Sequence, residues 1–89
     1  MDDVDKAIIR TMFDRDAPLT SFIKVEDINF NLPNNFKRGM HELQDRLKLM
    51  QKGTKNIEIK EEAGQIYGAR LTVEGRQYER ERRANNYSL

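Results

Sequence analysis

The chain has 89 residues, with 16 Lys and Arg against 15 Asp and Glu and a net charge of +1 at neutral pH. That length holds one small domain without room for a second independent core, and the near-neutral charge excludes a polybasic nucleic-acid coat. The absence of cysteine removes disulfides, thiolate metal sites and thiol catalysis, and a single histidine, His41, removes a multi-histidine metal centre within one chain.

No apolar run exceeds Ala7-Ile8-Ile9, so neither a membrane span nor a signal-peptide core is expected, and a cytoplasmic location is. Asp2 and Asp3 stand where an N-cap and a first-turn acid favour the positive end of a helix. Val4, Ala7, Ile8 and Met12 then recur at helical spacing, with Thr11 beside them. Asp16-Ala17-Pro18 ends this helix, because the residue before proline is pushed out of the α region. From Leu19 to Pro33 the pattern predicts a short helix over about Lys24–Phe30, followed by a turn carrying Asn29, Asn31 and Pro33.

A second long helix is expected to start at Asn34 as N-cap and to run from about Asn35 to Met50 before Gly53 stops it. At ~100° per residue, Phe36, Met40, Leu43, Leu47 and Met50 fall in one stripe. The opposite face carries Lys37, Arg38, His41, Lys48 and Lys52, with Asp45 among them. Gly39 falls in mid-helix, where it costs roughly 1 kcal/mol against alanine, and the close approach of a neighbouring backbone would account for it.

Beyond Gly53 the period changes to two. Ile57-Glu58-Ile59-Lys60 alternates, Ala63-Gly64 marks a turn, and Gln65–Leu71 returns, which predicts a β-hairpin. Thr72 then caps a last helix with Glu74 in its first turn and Tyr78 as its one large apolar anchor. Its arginines, Arg76, Arg80, Arg82 and Arg83, interleave with Glu74, Glu79 and Glu81 and predict a solvated helix laced by ion pairs. Residues 84–89 are expected to fray, leaving one domain over residues 1–83.

The expected class is therefore α+β, with three N-terminal helices, a two-stranded hairpin and a C-terminal helix. A lone hairpin is unstable in water, so this one must bury Ile57, Ile59, Leu71 and either Tyr67 or Ile66 against the helices. That element order is the order of a winged helix-turn-helix domain. The segment Tyr67-Gly-Ala-Arg-Leu-Thr-Val-Glu-Gly-Arg76 resembles the end of the wing and the start of the next helix in MarR- and PadR-type bacterial regulators. In element order and length the chain also resembles small YjcQ-like winged-helix proteins of bacteria and phages. The matching pieces are Ala7-Ile8-Ile9, the Ala-Pro-Leu-Thr break at 17–20 and the Leu-Thr-x-x-Gly end. This resemblance supplies no catalytic residue, and no enzyme activity, metal or cofactor is expected.

In such regulators the third helix enters the major groove and the wing touches flanking DNA, so the resemblance implies a bacterial or phage transcriptional regulator with helix 34–50 in the groove of double-stranded DNA. The charge map agrees in part: residues 34–56 hold six basic and two acidic residues, whereas residues 1–33 hold four basic and seven acidic. Asn35, Lys37, Arg38 and His41 are the candidates for base edges, and Lys48, Lys52 and Lys55 those for phosphate. Useful specificity from so small a domain calls for a homodimer or a partner protein. The rival reading is a protein-interaction module without DNA binding. It rests on the acidic hairpin tip, Glu61-Glu62, on the acidic first third and on the near-zero net charge; Asp45 within the basic face also counts against DNA, and a Lys/Arg/His face is by itself what any solvated helix shows.

Overall fold

The computed structural model describes residues 2–15 and 21–86, so the proline break at Pro18 and residues 87–89 lie outside the described part. Helix α1 (Asp3–Asp14) opens as its sequence predicts. The Asp2 carboxylate accepts a hydrogen bond from the Asp5 N–H at 3.0 Å, satisfying one of the donors a helix start leaves open. Its inner face buries Ala7, Ile8, Ile9, Thr11 and Met12.

The chain then forms a two-residue strand, β1 (Ile23–Lys24), and helix α2 (Val25–Asn31), within one residue of the expected short helix. Asn34–Phe36 forms a single 3-10 turn, and helix α3 (Met40–Gly53) begins only after three extended residues. The long helix is thus shorter at its start than the expected Asn35–Met50. Contacts with α2 hold the intervening residues extended: Lys37 Nζ donates to the carbonyls of Asn29 and Phe30 at 2.9 and 2.6 Å, and the Arg38 N–H donates to Asn29 Oδ1 at 3.3 Å. Gly39 is therefore not a mid-helix residue beside a close neighbour. It is the N-cap, with extended backbone and open space about it, and its carbonyl accepts the first helical bond from Leu43 at 2.9 Å.

Strands β2 (Ile57–Glu62) and β3 (Gln65–Leu71) form the expected hairpin. Ala63 and Gly64 both adopt positive φ, 52° and 78°, as a two-residue hairpin turn requires. The sheet has three antiparallel strands in the order β1-β3-β2, one more than the sequence suggests. Gly68 admits the extra strand, because a Cβ there would collide with the Ile23 backbone. Helix α4 (Val73–Asn86) follows, with the Thr72 hydroxyl accepting from the Gly75 N–H at 3.0 Å; it extends past the expected boundary at Arg83.

The architecture is α+β. Ile8, Ile9, Met12, Val25, Ile28, Leu43 and Leu47 from the helices meet Ile57, Ile66 and Leu71 from the sheet in one core. Of the stripe expected on α3, Leu43, Leu47 and Met50 are buried, Phe36 packs from the 3-10 turn, and Met40 is exposed.

Arg46 of α3 reaches the start of α1, with Nη1 2.7 Å from Asp2 Oδ2 and 3.5 Å from Asp5 Oδ1. The two aspartates respond in opposite directions. The hydrogen bond from the Asp5 backbone lowers the pKa of Asp2 from 3.8, whereas desolvation raises that of Asp5. Stability from Asp2 is present above its unfolded pKa and lost as pH falls through the lowered folded one. That from Asp5 is present below its unfolded pKa and lost as pH rises through the raised one. Asp5→Asn is therefore expected to lose stability more steeply than the wild type between about pH 5 and about pH 3, measured by urea unfolding at each pH.

Candidate nucleic-acid interface

Helix α3 packs its Leu43–Leu47–Met50 stripe inward, which turns His41, Asp45, Lys48 and Lys52 to solvent on the opposite face. These four follow the i, i+4, i+7, i+11 spacing of one helix face and span about 16 Å of axis. All four are exposed, and among the described residues neither Lys48 nor Lys52 enters an ion pair. Lys55 lies in the bend just beyond the helix and is also exposed.

The other candidates are not part of this face. Asn35 sits in the 3-10 turn, and Lys37 and Arg38 lie in the extended segment before α3. Lys37 is occupied by the two carbonyls at the end of α2, where a cation also suits the negative end of the helix. The Arg38 Nη1 donates to the Lys37 carbonyl at 3.1 Å, and its Nε lies 4.0 Å from Glu42. Arg46 is committed to Asp2 and Asp5. The six cations of residues 34–56 thus reduce to three outward lysines, because internal acceptors take the rest.

Leu49 stands beside this stripe and is 65% exposed. With half-buried Ile59 it forms the apolar floor of a shallow groove between α3 and β2, whose rim carries Asp45, Lys48, Lys52 and Glu61. Sequence periodicity does hold a signal for Leu49, since a leucine outside the 43–47–50 stripe has no core to enter. Gln51 closes the far side of β2 by accepting the Ile59 N–H at 2.6 Å, which blunts an edge otherwise open to strand pairing.

No match to this chain emerges from comparison with protein-family models, curated proteins or solved structures. The site must therefore be read from its own geometry. Among the described residues there is no group of three His, Asp or Glu side chains able to hold a metal ion. No helix among them is long and apolar enough to cross a membrane.

The last helix is less solvated than expected, most of all at Glu79. Glu79 is 0% exposed rather than solvated. Its carboxylate accepts from Arg82 at 3.1 and 3.2 Å and from Arg83 Nε at 2.8 Å. Arg83 also pairs with Asp14 and lies 4.6 Å from the Phe13 ring centre, joining α4 to α1. The hydrogen bonds that Arg83 donates, to Asp14 first and then to Glu79, raise its pKa above the ordinary value. The first and last helices are thus packed on each other within the chain.

Proposed function

We propose that this chain is a winged-helix domain that binds double-stranded DNA through the solvent face of α3, acting in bacterial or phage transcription regulation without catalysing a reaction. The observation that carries the reading is the outward row of His41, Lys48 and Lys52, whose side chains have no hydrogen bond or ion pair among the described residues. An α-helix fits the major groove, and lysines spaced along it meet phosphate while His41, near its start, faces base edges. The element order, with a hairpin between α3 and α4, adds support. Asn35 and Arg38, just before α3, remain within reach of the groove entrance in this reading, whereas Lys37 stays with α2.

Fluorescence anisotropy with a mixed-sequence duplex tests it. If Lys48, Lys52 and Lys55 each neutralise one phosphate, the log–log salt slope is about −2.7, and affinity falls about 40-fold between about 50 and about 200 mM salt. Lys48→Glu with Lys52→Glu is expected to weaken binding by more than about tenfold. Unchanged binding in that variant would sink the assignment.

Leu49 and the acids beside it favour a second reading, a protein-docking surface. An exposed leucine over a groove ringed by Asp45 and Glu61 suits a partner with apolar and basic groups. Retained duplex binding in Leu49→Asp, with loss of a co-purifying protein, would favour it over DNA.

A further inference from the structure

The sheet face turned away from the helices alternates aromatic rings with cations. The Arg70 guanidinium lies 4.5 Å from the Phe22 ring centre. Lys60 Nζ lies 5.9 Å from Phe22 and 5.5 Å from Tyr67, and Lys24 Nζ lies 6.0 Å from Tyr67. Tyr67 stands on this face because of an irregularity in the ladder: the register shifts between Lys60 and Glu61, so Lys60 pairs with Gly68 and Glu61 with Ile66. Tyr67 is left without a partner opposite, and the strand turns it outward while its neighbour Ile66 stays in the core.

A solvated antiparallel face commonly carries mostly polar side chains. Two half-buried rings with ammonium and guanidinium groups over them form instead the surface that holds bases by stacking and phosphates by charge. Glu58 takes part of the Arg70 charge at 2.8 Å, and Glu62 lies 3.7 Å from Lys60. Lys24 has no acidic partner among the described residues.

We infer that this face binds single-stranded nucleic acid. Bases stack on Tyr67 and Phe22, and the backbone runs along Lys24 and Lys60. The inference does not depend on duplex binding by α3, which packs against the other side of the sheet.

The test uses the full chain and a fluorescein-labelled oligothymidylate of about 12 nucleotides, followed by anisotropy at about 50 mM salt. Tyr67→Leu and Phe22→Leu keep apolar cover over the strands and are each expected to weaken binding about five- to hundredfold. Tyr67→Phe keeps the ring and is expected to bind like the wild type. Absence of wild-type binding, or equal binding by the leucine variants, would overturn the inference. Should a leucine variant lose its melting transition, Lys24→Gln with Lys60→Gln replaces it: both sites are exposed, and a reduced salt slope is expected where an unchanged one would refute the site.

Discussion

Gly75→Ala is expected to destabilise the protein, although helix propensity predicts the reverse. Gly75 lies in the first turn of α4, where alanine would add up to about 1 kcal/mol of helix stability. A Cβ at this position, however, would collide with the Asn56 carbonyl. That carbonyl cannot move aside cheaply, because it accepts the Thr72 N–H at 3.0 Å and lies one residue before β2. The Thr72 hydroxyl adds a second tie by donating to the Lys55 carbonyl while it caps α4. Inserting the methyl group must push the start of α4 away from the start of β2, at a cost of about 1–3 kcal/mol. In a domain of this size each kcal/mol lowers the melting temperature by about 4–8 °C. Gly53→Ala is the internal control: it also lies in a helix but has open space around it, and it is expected to be neutral or stabilising. Thermal unfolding followed by circular dichroism reads both. A melting temperature for Gly75→Ala at or above that of the wild type would disprove the packing account.

Glu79→Ala is expected to have a larger effect. Its carboxylate is fully buried between two arginines whose side chains keep only 17% and 30% of their exposure. Removing the acid leaves two cations partly desolvated without their shared acceptor, and breaking such a pair from one side costs about 3 kcal/mol. The corresponding fall in melting temperature is on the order of 10 °C or more. Arg82→Ala should cost less, because Arg83 still holds the carboxylate at 2.8 Å. Arg83→Ala should fall between the two, since it also removes the Asp14 tie and the cover over Phe13. Urea unfolding of the three variants gives the order directly, and a Glu79→Ala protein as stable as Arg82→Ala would refute the shared-acceptor arrangement.

The same residues mark how far a one-dimensional reading reaches. The Asp2 cap, the α1 stripe, the period-two hairpin, the Ala63-Gly64 turn and the Thr72 cap were all legible, because each depends on residues within a few positions of one another. The Leu71-Thr-x-x-Gly75 segment was legible as a junction, yet the reason for its glycine was not, since the Asn56 carbonyl comes from across the β2–β3 hairpin. The start of α3 was misplaced for a related reason. Helical spacing continues back through Phe36, but Asn29 and Phe30, eight and seven residues before Lys37, draw the chain out into an extended segment. Strand β1 is only two residues long and exists through its pairing with Gly68 and Ala69, so no local period announces it.

The candidate site divides in the same way. The amino-acid sequence by itself determined the α+β class, the order of the main elements and the helix face on which His41, Asp45, Lys48 and Lys52 lie, because periodicity and capping are local. Only the tertiary structure decided which charges remain outward. It commits Arg46 to α1, Lys37 to the end of α2 and Glu79 to the α1–α4 junction, and it turns Tyr67 onto a basic sheet face by one register shift. A side chain's charge is written in the chain, but whether water or a distant partner neutralises it depends on contacts up to 69 residues apart.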